Sequence, residues 1–248
     1  MKINKFIKLK DGNYKIQFSN NEELKVHEDL ILKYELLLKK ELEDNLKEKI
    51  IDEQKIYDIY NIALKYIKIR IRSSKELESY LLKKGYNTNE VDKTLNILKK
   101  QGYLSDDIYA KSLIHDRINL SNNGPLKIKI ELEKNNIDKE LIAKYLETFT
   151  EELEIERIKK IINKHLKINK NCSSYMLKKK IEINLINLGY HQYLINELLN
   201  SIKLSDKDAY KIEYDKQYKK LSRKYTGKEL EYKIKEKLYQ KGFKNSYE

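Results

Sequence analysis

From about residue 28 onward, apolar residues recur three and four positions apart, the spacing that lines one face of an α-helix. Ile56, Tyr60, Ala63 and Ile67 follow it at steps of four, three and four. The first 26 residues differ: Lys2 to Leu9 and Tyr14 to Phe18 are short apolar and aromatic stretches separated by Asp11-Gly12-Asn13, a turn signal. That pattern predicts a β-hairpin, with a third strand at Leu24 to Val26.

The helical part repeats. Gly85-Tyr86 recurs as Gly189-Tyr190 and Gly242-Phe243, with Asn136-Ile137 as a variant, and the second members stand 51, 53 and 53 residues apart. Residues of this kind suit a helix C-cap. Nine and five positions before each cap lie Leu77 and Leu81, Ile128 and Leu132, Ile181 and Leu185, and Ile234 and Leu238. Five, nine and twelve positions after it lie Val91, Leu95 and Leu98, then Ile142, Leu146 and Phe149, then Ile195, Leu199 and Ile202. Each repeat therefore reads as a longer first helix (about 54–70, 105–120, 151–168 and 206–224), a middle helix ending at the cap, and a third helix. The fold expected is mainly α, with tandem three-helix repeats at 54–104, 105–150 and 151–205 and an incomplete fourth at 206–248, too short for its third helix. A β-hairpin and helical extension at 1–53 precedes them. Units this small share burial with neighbours, so an elongated, curved array is expected, with a radius of gyration above the roughly 18 Å of a compact chain this long.

Composition narrows the classes. Seven Gly and one Pro argue against a turn-rich all-β protein. One cysteine, Cys172, allows no internal disulfide and no thiolate metal cluster, which suits a reducing, cytoplasmic setting. Charges interrupt the apolar residues of the N-terminus, and no uncharged apolar run approaches the roughly 18 residues of a membrane span, so neither a signal peptide nor a membrane partner is expected.

Charge points to a polyanion: the net is +13. By segment it is −1 for 1–53, +6 for 54–104, −1 for 105–150, +4 for 151–205 and +5 for 206–248, a distribution that a uniform A/T-rich coding bias would not leave. Any one lysine cluster reads as a solvated face, whereas the set reads as sequence-independent phosphate contact. The candidate contact residues are Arg70, Arg72, Lys75, Lys83, Lys84, Arg117, Lys127, Lys178, Lys179 and Lys180.

Gly102-Tyr103-Leu104-Ser105-Asp106-Asp107-Ile108-Tyr109-Ala110 joins the first two repeats; Gly102 ends one helix and Ser105 or Asp106 caps the next. Together with Arg72-Ser73-Ser74-Lys75-Glu76-Leu77, the Lys84-Gly85-Tyr86 cap, and Gly124-Pro125 followed by Ile128, Glu131 and Leu132, it resembles the RecX family. The likeness is specific over 54–149 and weaker beyond, and the N-terminal hairpin looks like the extension of longer members. Asn135-Asn136 stands where the family often has Lys-Gly, and Tyr109 where Phe is commoner; neither disturbs the fold, because Asn tolerates a left-handed cap and Tyr keeps the ring. The resemblance implies a non-enzymatic regulator of the RecA recombinase, acting in homologous recombination, DNA repair and the SOS response. Such a protein lies along the groove of RecA filaments on single- or double-stranded DNA and inhibits strand exchange, ATP hydrolysis and coprotease activity. A monomer is expected. Tyr103 and Tyr109 read either as interface anchors or, more commonly at such a junction, as core.

Catalytic and cofactor signatures are missing from the sequence. His27, His115, His165 and His191 lie in separate segments without metal-ligand spacing, and neither a phosphate loop nor a dinucleotide motif occurs. Asp106-Asp107 and Glu151-Glu152 begin expected helices, where they complement the dipole. No cofactor, metal or catalytic residue is assigned. The competing classes are a stand-alone, sequence-independent nucleic-acid binder and an enzyme assembled from scattered residues, which would need a concave cluster of titratable side chains.

Overall fold

The computed structural model describes residues 1–10, 12–169 and 171–243; Asp11 of the expected turn lies outside them. They divide into two compact units, residues 1–112 with 135–137, and residues 113–134 with 138–248.

The first unit begins with β1 (Ile3–Lys8), β2 (Asn13–Phe18) and β3 (Glu23–His27), an antiparallel sheet in that order, with Gly12 at φ 68° in the first turn. The hairpin and third strand stand where the alternation placed them. Ile16, Phe18 and Val26 point from the sheet into a core completed by Leu30 and Ile31 of α1 (Glu28–Lys33), Leu36 of a short 3-10 turn, Leu42 and Ile50. Ile50 belongs to α2 (Asp44–Ile67), which begins well before the expected start at 54. No glycine or proline interrupts 44–67, and the helix runs through both environments: its start covers the sheet, while Ile59, Tyr60 and Ala63 pack with α3 (Ser74–Lys83) and α4 (Thr88–Lys100). Gln54 ties α2 to the sheet, accepting from His27 N–H at 2.7 Å and donating to Oδ1 of the buried Asn13 at 3.3 Å.

Serine and asparagine punctuate the helices as their sequence positions suggest. Ser73 with Glu76 and Asn87 with Glu90 form capping boxes on α3 and α4. Ser105 accepts from Ile108 N–H at the start of α5 (Asp106–Leu120), which leaves Asp106 free for another task.

In the second unit follow α6 (Pro125–Lys134), α7 (Lys139–Leu146), α8 (Glu151–Ile168), α9 (Ser174–Leu188), α10 (Gln192–Ser201), α11 (Lys207–Leu221) and α12 (Gly227–Gln240). All eight aliphatic positions counted back from the caps are buried. Among those counted forward, Leu146 and Ile202 are only half-buried, and Phe149 and Ile202 lie past their helices, so the third helices of these repeats are shorter than the periodicity suggests.

One joint recurs inside the units: the cap ending a middle helix sits on the first turn of an earlier one. In the first unit Ser73 Oγ donates to Asn135 Oδ1 at 3.1 Å, and Asn136 takes the left-handed conformation, φ 54°. In the second, Gly124 N–H donates to Leu188 O at 2.7 Å and Leu126 N–H to Gly189 O at 3.0 Å, while Ser173 Oγ donates to Lys241 O at 2.7 Å. A carboxylate braces two of these starts. Ser74 donates its N–H (2.7 Å) and hydroxyl (2.6 Å) to Asp106, and Ser174 makes the same pair of bonds to Asp206. Dipole complementation is therefore not the whole role of Asp106.

Candidate nucleic-acid interface

Around α3 the fold gathers five candidate cations and spends much of their charge internally. Arg70 reaches Glu76 at 2.5 Å and Lys75 pairs with Glu78 at 3.0 Å. Arg72 lies 4.2 Å over the ring of Tyr66, which stacks on Tyr80 at 3.9 Å, and Lys84 approaches Tyr80 from 5.7 Å. The Arg72 side chain is only 13% exposed, and its Nε is buried without a hydrogen bond among the described residues. Lys83 is exposed beside the Gly85 cap, which has open space around it.

In the second unit Arg117 is committed to Glu131 through Nε at 2.8 Å and Nη2 at 2.5 Å, a planar fork that ties α5 to α6. Lys127 is exposed, while its backbone lies under Gly189 at the joint. Lys178 is half-buried and Lys179 and Lys180 are exposed on α9; Lys180 donates to Asn169 at 3.1 Å. Here the field is positive: desolvation and then Lys180 and Lys164 push His165 below its ordinary value. Lys160 and Lys164 also line a groove of about 500 Å³ with Arg157, Asn119 and Asn122. Neither lysine is among the contact residues expected from the sequence, although the i, i+4 spacing of Lys160 and Lys164 on α8 signals a shared face.

Tyr109 is 4% exposed and fills core, whereas Tyr103 is 60% exposed. Tyr103 borders a cleft of about 680 Å³ with His27, Asp29, Tyr60, Lys65 and Lys68. Burial holds His27 below its usual value, and its Nδ1 accepts from Asp29 N–H as the cap of α1. His191 is bound by the buried carboxylate of Glu154, at 2.7 Å from its N–H and 2.9 Å from Nδ1. A second cleft of about 630 Å³, between α2 and α4, holds the ion pairs Lys33–Glu53 and Lys55–Asp52 and is also lined by Lys49, Lys93 and Lys100. Among the described residues no group of three His, Cys, Asp or Glu side chains could hold a metal ion, and no helix is long and apolar enough to cross a membrane.

Residues 60–98 match the model of RecX, first three-helix domain, and residues 105–146 that of RecX, second three-helix domain. The regulatory protein RecX of Halalkalibacterium halodurans is 30% identical over 223 residues, spanning 88% of this chain and 84% of that protein. The chain belongs to the RecX family. The RecX of Oceanobacillus iheyensis is 26% identical over 247 residues, covering 98% of this chain and 89% of its own length. A crystal structure of regulatory protein RecX shares the fold with a TM-score of 0.72 at 24% identity, over 81% of this chain and 99% of that one. The crystal structure of RecX from Lactobacillus salivarius aligns with a TM-score of 0.54 at 26% identity, over 60% of this chain and 99% of its own. RecX relatives are named as regulatory proteins rather than as an enzyme family.

Proposed function

We propose that this RecX-family chain is a negative regulator of RecA that binds RecA filaments on DNA along their groove and inhibits recombinase, ATPase and coprotease activities without an enzymatic activity of its own. The observation that carries the reading is the likeness to RecX proteins over nearly the whole length, with both three-helix domains in tandem. The action is cytoplasmic, by a monomer, with accessory sequence-independent contact to single- or double-stranded DNA. Lys178, Lys179 and Lys180, beside the positive field at His165, are the strongest candidates for that contact. Arg117 and Lys75 act as internal ties first, being already paired.

The test is RecA's ATP hydrolysis on single-stranded DNA with the protein titrated in below one copy per RecA. Substoichiometric inhibition with weak affinity for the bare strand is expected. Inhibition only at concentrations that coat the DNA would favour the second reading, a stand-alone polyanion binder, which the basic surface of α8 and α9 alone would sustain.

A further inference from the structure

The fourth repeat holds a feature that neither the charge clusters nor the family motifs point to. On α11, Tyr210, Tyr214 and Tyr218 stand four residues apart on one stripe. Their rings are close to parallel: Tyr210 and Tyr214 lie 6.3 Å apart between centroids at 23°, Tyr214 and Tyr218 6.4 Å at 18°. Phe243 meets Tyr210 edge-on at 5.7 Å and fixes the inner rung, while Tyr218 at the outer end is 48% exposed. The Tyr66–Tyr80 stack, closed at 3.9 Å and covered by Arg72, has no such room. Tyr210 and Tyr214 are partly buried against the core of Ala209, Leu230, Ile234, Leu238 and Phe243, so the ladder opens to solvent at Tyr218; its centroid spacing is close to two of the roughly 3.4 Å steps between stacked bases.

Charge along the stripe suits a strand as well. Lys207 and Lys211 are exposed three residues ahead of Tyr210 and Tyr214, which puts them beside the rings. Asp215 holds the corresponding place ahead of Tyr218 and is the opposing charge there. Two nearby acids are engaged internally, Asp206 by Ser174 and Glu213 by Lys241 at 2.5 Å.

We propose that the Tyr210–Tyr214–Tyr218 ladder is a stacking platform for single-stranded nucleic acid, with bases on the rings and phosphates on Lys207 and Lys211. The site deepens the accessory DNA contact of the proposed function and rests on that reading. Because every base offers a π face, such a platform is indifferent to sequence.

The experiment measures fluorescence anisotropy of the full chain with a labelled oligothymidylate of about 16 nucleotides, the upper site size of comparable modules, and with an abasic strand of equal length. Tyr218→Ala and Tyr218→Leu should each weaken oligothymidylate binding by about fivefold to a hundredfold, the span measured for one stacked base. Both should leave abasic binding unchanged, and Tyr218→Phe should bind like the parent. The leucine variant keeps the apolar bulk, so its circular dichroism separates lost stacking from lost structure. Equal losses on both strands, or none on either, would overturn the proposal. RecA ATP hydrolysis measured alongside separates the two readings: base-dependent binding without RecA inhibition sinks the regulator and leaves the platform standing, and inhibition with no effect of Tyr218→Leu on strand binding does the reverse.

Discussion

At Ser73 in the first unit, the arriving loop carries side chains and the helix start answers with a hydroxyl; at Gly124 in the second, backbone meets backbone. The two joints do the same work, closing a helix end with the start of another, and at Gly124 the donors are backbone N–H groups that a first turn leaves orphaned. They differ in what they tolerate. Asn135 and Asn136 fit the first joint, so its left-handed residue is constrained by conformation alone. At the second, a Cβ on Gly124 would collide with the Gly189 carbonyl, and a Cβ on Gly189 would come within 2.5 Å of Lys127 N. Gly85 has the same positive φ and nothing near it. The same short motif is thus held by space in one place and by backbone preference in another.

Substitution separates these causes. Gly189→Ala combines a backbone collision with left-handed strain and should cost about 3 kcal/mol or more, whereas Gly85→Ala should cost only about 1 kcal/mol. Urea unfolding of the full chain measures both, and equal costs would mean that the Gly124–Gly189 contact is not tight. Next in size is the brace. Asp206→Ala strands the Ser174 N–H and hydroxyl, and Asp106→Ala strands those of Ser74; each should lose about 2 kcal/mol, the scale of hydrogen bonds to a charged group. Asn in place of either Asp should recover part of that loss. Ser73→Ala and Ser173→Ala should cost about 1 kcal/mol each as lost N-caps, and a change below the error of the melt would show that neighbouring groups replace the hydroxyl.

Much of this was legible in residue order. The sheet followed from alternation around Gly12, and the buried aliphatic pairs from their fixed distance to each cap. The start of α2 was not, because a helix serving two cores shows no break where one ends, and the apolar residues Leu46 and Ile50 belong to the sheet's core rather than to the repeat's period. The candidate cations were legible only as charge. That Arg117 would close on Glu131, or Arg72 on Tyr66, depends on helices brought together by folding, and neither spacing in the sequence announces it. The tyrosines of α11 form an i, i+4 stripe whose inner members, Tyr210 and Tyr214, pack on core as the stripe in α2 does; exposure at Tyr218, which the spacing does not announce, sets the outer end apart.

Histidines sharpen the contrast between the units' electrostatics, with the smallest effects. Burial lowers His27, and Asp29, Glu28 and Asp58 oppose that shift; burial also lowers His165, where Lys180 and Lys164 reinforce it. Both folded values lie under the ordinary 6.5, so below that pH the unfolded chain binds protons first. Stability present above 6.5 is therefore lost as pH falls from there toward the folded values. Salt should split the pair. Screening weakens the acids that raise His27, so its pKa falls further, and weakens the lysines that lower His165, so its pKa rises. An NMR titration of the ring protons at low and high ionic strength checks the signs, and movement of both in one direction would remove the lysine field from α8 and α9. A single-stranded oligonucleotide that neutralises Lys164 and Lys180 should raise His165 in the same way at low salt while leaving His27 in place, which would put the polyanion on the second unit's basic face.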